Sequence, residues 1–508
     1  MLWVAIGTGP SPASFAAAPF KRFDRLSEDF GHARELLRVP GLAATVVQDG
    51  RVVWHQEFGM ADLERRAPVT ATTEFCVASI TKTMAAIVLL QMVHERRLRL
   101  DEPIARYIDS PSLPKAITIR HVLSHTSDGN PGEEFLYNGA RYALLSRVME
   151  AVGERPFREL LRSRIFKPLQ MADTLPGLDD AGYARKQARL ARPYQLNRKT
   201  QQIGPGALPQ PGLTAANGVV STTRDLARYA IALDRGVLLP RREAALMSSP
   251  TRSTTNRDLP YGLGWFVQDY LGERIVWHFG QEQSYGSLLL RSPKSRLTLI
   301  VLANSNSISD AFRLLDGDAM RSLFALYFFR DVIAPRLKLS SLARRQLEGD
   351  LKIAKALAHL HIGQMPRATA GVRKAVATGS VERRPNLPLM YLLVQLGEPS
   401  LNPITENVGL AIVERHPRLP PALFFLATFY QQNNQSDRAI ELFERIAGIQ
   451  PPSEHWSTSL ALVELGKWYL DRDPRRARAY LERVVDHGSN QDGALDTARG
   501  LLKQLRDG

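Results

Sequence analysis

The chain has 508 residues, 44% apolar and 23% charged, which excludes both a single small module and a globally disordered polymer; at roughly 150 residues per domain, two to four domains are expected. Basic residues outnumber acidic ones by 66 to 51, a net charge of +15. The excess is spread over both halves of the chain, in short pairs such as Arg383-Arg384 and Arg475-Arg476 with no aromatic platform between them, so it suits an anionic envelope surface better than a nucleic-acid groove.

Met1 to Gly7 is apolar and Ala16-Ala17-Ala18 looks like a small-residue cleavage site, although the basic n-region is missing. Residues 1–22 therefore read as the remnant of an export signal or a disordered leader, which makes the periplasm or secretion the expected location and the cytoplasm the alternative. Ala43 to Val47, a Gln48-Asp49-Gly50 turn and Val52 to Gly59 predict a β-hairpin. Thr81 to Arg96 carries Met84, Ile87, Val88 and Met92 at helical spacing and predicts a mostly buried helix. The longest apolar run, Ala85 to Val93, falls well short of the ~20 residues of a membrane span. Further helices are expected at Ile119 to Leu123, Tyr142 to Val152, Phe157 to Arg164 and Thr223 to Leu233, with Gly204 to Gly212 a loop. Gly262 to Gln268, Ile275 to His278, Ser287 to Leu290 and Leu297 to Ala303 predict an antiparallel meander, so the fold class is α+β, with terminal strands closing one sheet.

From Leu337 the pattern becomes helical, and a boundary is expected near Pro335. Leu426 to Tyr430, with Ala439, Phe443 and Ile446, superposes on Leu465 to Tyr469, with Ala477, Tyr480 and Val484, at an offset of 38 to 39 residues. This pattern resembles tetratricopeptide repeats, and the small residues would let paired helices approach closely. The resulting division is a hydrolase-type domain over 23–332 and an all-α repeat domain over 333–508, the two separable by deletion.

Chemistry concentrates at Ser79-Ile80-Thr81-Lys82, which puts a hydroxyl at a helix start and an amine one turn later on the same face. Serine needs a neighbouring base, and a lysine serves if desolvation lowers its pKa. Cys76, the single cysteine, excludes an intrachain disulfide and a cysteine-based metal cluster, and reads as a small buried side chain. His121 and His125 read as hydrogen-bonded core histidines. His359 and His361, two apart on a helix, face different ways and do not suit a metal.

Phe75 to Met84, preceded by Pro68-Val69-Thr70, resembles the active-serine region of the serine β-lactamase and penicillin-binding-protein family, in its class C, D-alanyl-D-alanine carboxypeptidase and esterase branch. Ile119 to Ser127, Ala216 to Leu226, Tyr261 to Trp265 and His278-Phe279-Gly280 follow in the family's order, and the resemblance runs from about Val39 to Asn304. It implies Ser79 as nucleophile, Lys82 as its base or proton relay, and Tyr137 as a second base kept near phenolate character by the ammonium. It also implies that His278 and Gly280, in place of the Lys-Thr-Gly triplet, line the site and that Gln281 N–H completes an oxyanion hole with Ser79 N–H.

One element departs. Tyr137 and Tyr142 keep the family's spacing, so the asparagine of Tyr-x-Asn falls on Gly139, unless a one-residue bulge brings in Asn138. This favours esterase-like chemistry over D-amino-acid peptidase or β-lactamase chemistry. The expected protein is a serine hydrolase acting on a small-molecule or peptide ester or amide, with no metal or other cofactor, and with a peptide, a protein or its own catalytic domain bound by the repeats. The alternative is a non-catalytic ligand-binding or scaffold protein.

Overall fold

The computed structural model describes residues 23–110, 113–379, 381, 383–450, 453, 455–487 and 493–507, so the expected leader at 1–22 lies outside the described residues. The hairpin predicted around Asp49-Gly50 forms as β1 (Gly41–Gln48) and β2 (Arg51–Asp62). Both turn residues adopt positive φ, 51° and 73°, the backbone that two-residue hairpin turns demand. The meander forms as β4 (Phe266–Tyr270), β5 (Glu273–Gln281), β6 (Gly286–Ser292) and β7 (Leu297–Ala303). With the short β3 (Ala67–Pro68) these make one sheet of order β3-β2-β1-β7-β6-β5-β4. Thr45 faces Ile300 across the antiparallel β1–β7 pairing, so the first and last strands of the sheet region meet at its centre, as the terminal-closure reading anticipated.

Both sheet faces are buried. Leu42, Ala44, Val46, Leu288, Leu290, Leu299 and Val301 point into one core, and Ala43, Val47, Leu289, Ile300 and Leu302 into the other. That explains why these strands read as near-continuous apolar runs rather than alternating ones. The second core holds helix α2 (Thr81–His94), whose side chains from Thr81 to Leu90 are all buried. The first is roofed by α1 (Asp24–Leu36), which the sequence reading did not anticipate, and by α4 (Leu323–Phe328). The predicted Tyr142–Val152 helix starts earlier, as α3 (Gly139–Gly153). Part of the expected 204–212 loop is a strand: Gln202–Pro205 pairs with Tyr194–Asn197, a hairpin too polar to show as a strand in the sequence. No helix among the described residues is long and apolar enough to cross a membrane.

From Ser341 the elements are helical, and the repeat offset has a structural counterpart. In Pro420–Gln432 followed by Ser436–Ala447, the Arg438 guanidinium lies 3.8 Å from the Tyr430 ring centre, and both groups bond to Glu406. In Trp456–Tyr469 followed by Pro474–His487, Arg476 lies 4.1 Å from the Tyr469 ring centre, and both bond to Glu444. The three residues recur at the same 38 to 39 residue offset. Gly466 is required by close approach, since a Cβ there would stand 2.5 Å from Leu481 Cδ2.

The two regions share one apolar core, contrary to the expectation that they are separable. The same cluster that contains Leu299 and Phe324 runs on through Leu357, Leu393, Phe425 and Leu462. Arg313, which precedes the helical region, sits among its aromatic rings, 4.5 Å from Tyr391 and 5.3 Å from Phe425. Deletion of residues 335–508 uncovers this core and leaves Arg313 without its aromatic partners. The truncated chain is therefore expected to aggregate or to bind a hydrophobic dye strongly; a soluble truncation with sharp near-ultraviolet dichroism would contradict this packing argument.

Candidate active site

Ser79 lies in the single 3-10 turn Ala78–Ile80 that leads into α2. Ala78 takes φ 49°, a left-handed backbone that costs an L-residue about 1–2 kcal/mol. That strain is tolerated because β5 presses against the turn. At Gly280 a Cβ would stand 2.3 Å from the Val77 carbonyl oxygen and 2.1 Å from Ser287 Oγ, so only glycine lets the strand come this close. Ser287 Oγ in turn donates to Val77 O at 2.8 Å, and Ser309 Oγ to Gly280 O at 2.9 Å. The Gly280–Gln281 end of β5 is thereby held beside the serine turn.

Lys82 is 1% exposed. Its Nζ donates to Ser79 Oγ and to Ala216 O, each at 2.9 Å. Burial pulls its pKa down to about 7, and the Glu282 carboxylate acts in the opposite direction. An amine in this state is neutral in a large fraction of molecules near neutral pH, so it can take a proton from the serine. Glu282, held by Asn217 Nδ2 at 2.8 Å, was missed by sequence reasoning; its only signal is an acidic residue directly after the His278–Gln281 segment.

The buried Tyr137 hydroxyl lies near Ser79, which lowers its pKa, although no hydrogen bond of ordinary geometry joins the two hydroxyls. The Lys82 ammonium position is 5.0 Å from the centre of the Tyr137 ring. Contrary to the expectation of phenolate character, burial outweighs the serine and pushes the phenol well above its usual range. At neutral pH Tyr137 is a proton donor, and the group poised to accept a proton is Lys82.

The bulge that would have restored the motif asparagine does not occur. Asn138 is the N-cap of α3, its Oδ1 accepting from Arg141 N–H at 3.0 Å, a use that asparagine serves well. Its own N–H donates to His125 Nδ1 at 3.1 Å. Gly139 occupies the asparagine's place: a Cβ there would stand 3.9 Å from Lys82 Nζ, and glycine leaves that space open.

His278 is fully buried, its ring nitrogens engaged by Tyr261 Oη at 2.9 Å and the Phe279 carbonyl at 2.6 Å. Burial and Lys82 hold its pKa down at about 3. The imidazole is neutral and faces inward, so it puts no positive charge where the Lys-Thr-Gly triplet carries one. Gln281 Nε2 donates to Asp310 at 3.2 Å. Cys76 is a buried free thiol. His125 stacks between Tyr137 and Tyr142, ring centres 4.4 and 5.1 Å away, and His121 Nδ1 accepts from Thr118 N–H in a capping box. No group of His, Cys, Asp and Glu among the described residues has the arrangement of a metal site.

The helical region reaches this site through the Tyr137 loop. Glu134 accepts from Arg257 at 2.6 Å and lies 3.2 Å from His416, while Arg257 also donates to Arg415 O at 2.9 Å. Arg418 pairs with Glu133 at 3.2 Å. Two helical-region residues, His416 and Arg418, are thus fastened within four positions of Tyr137, and Arg415 joins them through Arg257.

A family model described as Beta-lactamase matches residues 29–319. Protein flp of Staphylococcus aureus (strain MW2) is 24% identical over 53% of this chain and 60% of its own length. The unguisins hydrolase ungD' of Aspergillus campestris is 25% identical over 56% of this chain and 63% of its own. The chain thus spans about three fifths of the length of these curated relatives. Among solved structures, the octameric penicillin-binding protein homologue from Pyrococcus abyssi superposes with a TM-score of 0.54 at 22% identity, covering 63% of this chain and 80% of that one, a likeness of fold.

Proposed function

The chain belongs to the Beta-lactamase family, within the serine hydrolase superfamily, and from that premise we propose that it cleaves ester or amide bonds of a small molecule or peptide through an acyl-enzyme on Ser79. The observation that carries this is the buried Lys82 amine, 2.9 Å from Ser79 Oγ with a pKa brought down to about 7. A site that only bound a ligand would have no use for a desolvated amine on a serine hydroxyl.

In the proposed sequence Ser79 Oγ attacks the carbonyl carbon as its proton passes to neutral Lys82. The oxyanion accepts from the Ser79 and Gln281 N–H groups. Collapse breaks the bond to the leaving group, which takes a proton from the Tyr137 phenol, and Lys82 returns its proton to Tyr137; water then attacks the acyl carbonyl as its proton passes to neutral Lys82, and the Ser79 Oγ–acyl bond breaks with that proton returned to Ser79. With Asn138 spent on a helix cap and Gly139 in the asparagine's place, the order of preference is carboxylester, D-amino-acid amide, then β-lactam. The helical region serves as a lining for its own catalytic domain, with a peptide or protein as a further partner.

Treatment with a fluorophosphonate should label the protein, and Ser79→Ala should not be labelled. If neither a fluorophosphonate nor a fluorescent penicillin is taken up, or if Ser79→Ala labels as the parent does, the covalent reading fails. The labelling rate should rise with pH through a limb near 7 as Lys82 loses its proton. Glu282 favours the ammonium form, so Glu282→Gln should move that limb to lower pH; a limb that stays in place would separate it from Lys82.

A further inference from the structure

Between the sheet region and the helical region lies a cavity of about 360 Å³, within the ~300–1,000 Å³ of small-molecule sites. One wall is the loop Phe135-Leu136-Tyr137 with Leu259 and Val267; the facing wall includes Leu387, Ile412 and Leu419 of the helical region. The carboxylates that reach it are already paired: Glu134 with Arg257, Asp316 with Arg313, Asp269 with Arg274 and Asp258 with Arg252. Arg415 also lines the cavity but is exposed to solvent, so the surface the cavity encloses is chiefly apolar, and an uncharged apolar group is the occupant it fits.

Tyr137 belongs to both spaces. The residue lines the cavity, which Ser79 itself does not, while its hydroxyl lies near Ser79 and, being protonated, is placed to serve the leaving group. We infer that the cavity receives the apolar alcohol portion of an ester whose carbonyl Ser79 attacks, so that the helical region sets the preference for the leaving group. This rests on the reading of Ser79 as nucleophile. It makes the helical region part of the substrate site, and it explains why the loop carrying Tyr137 is fastened to His416 and Arg418.

The test uses the full chain and a series of acetate esters from ethyl to hexyl, followed by proton release. Burial of each added methylene should raise kcat/KM roughly three- to fourfold, on the order of a hundredfold from ethyl to hexyl, while p-nitrophenyl esters of lengthening acyl chain show no comparable rise. Ile412→Phe and Leu387→Phe, on separate helices, should each lower the hexyl-to-ethyl ratio at least about tenfold; a ratio is insensitive to partial loss of folded protein. Fluorophosphonate labelling of Ser79 is measured alongside. A labelled enzyme with a flat alcohol series, a rise confined to the acyl series, or variants that keep the parental ratio would overturn the cavity assignment alone. Absence of labelling would overturn the nucleophile reading itself.

Discussion

Lys82→Met is expected to slow fluorophosphonate labelling of Ser79 by about 10²–10⁴-fold, the range a positioned general base contributes. Methionine preserves length and burial but cannot accept the serine proton. Lys82→Arg should fail as well, because a guanidinium stays protonated and its planar fork does not fit the ammonium's place. Equal labelling of parent and Lys82→Met would remove the lysine from the mechanism. The same substitution has a stability signature. The folded chain holds Lys82 at about 7 against an ordinary value of 10.5, so between those pH values the unfolded chain binds more protons and parental stability rises with pH. Lys82→Met should lack that rise and should not melt lower than the parent at pH 7, since it removes a desolvated amine.

Asp350→Ala is expected to destabilise the protein by about 3–5 kcal/mol, the cost of leaving buried charge unpaired. Asp350, 2% exposed, accepts from Arg321 and Arg384, each at 2.9 Å, and from Tyr270 Oη at 2.8 Å. Arg321 is 1% exposed, and Asp318 also engages Arg384 at 2.7 Å and Asn386 at 2.9 Å. The network joins the sheet edge at Tyr270 to the Ser341–His361 helix and to the chain entering Leu387–Leu396. Alanine leaves Arg321 and Arg384 to share the single carboxylate of Asp318, whereas Asp350→Asn keeps the side-chain volume and one acceptor oxygen and should lose less. Denaturant unfolding followed by tryptophan fluorescence measures the difference; a loss under about 1 kcal/mol would show that this network does not hold the two regions together.

The sheet, the Ser79–Lys82 pair and the helical repeat were legible in the sequence because each rests on local regularities: apolar runs bounded by turn residues, a hydroxyl and an amine one helical turn apart, and small and aromatic residues recurring at 38 to 39 positions. The family resemblance put Tyr137 in the site for the same reason, as part of an ordered set of short segments. The glutamates that complete the repeated tyrosine–arginine groups, Glu406 and Glu444, belong to preceding helices and could not be paired without the fold.

What the tertiary structure alone decided depends on burial and on contacts between distant segments. The depressed Lys82 pKa and the protonated Tyr137 follow from desolvation by the surrounding core, a quantity that no spacing rule reports. The competition for Asn138 was settled by the Arg141 N–H in the first turn of α3, which donates to its Oδ1, so the register of the sequence stood and the side chain was lost to the site. The helical region is expected not to be separable because one apolar core runs through both regions, and because Arg313 and Arg321 find Tyr391 and Asp350 as partners there. The sequence by itself thus determined which residues could carry the chemistry; packing determined their protonation states and made the helical region a wall beside the Tyr137 loop.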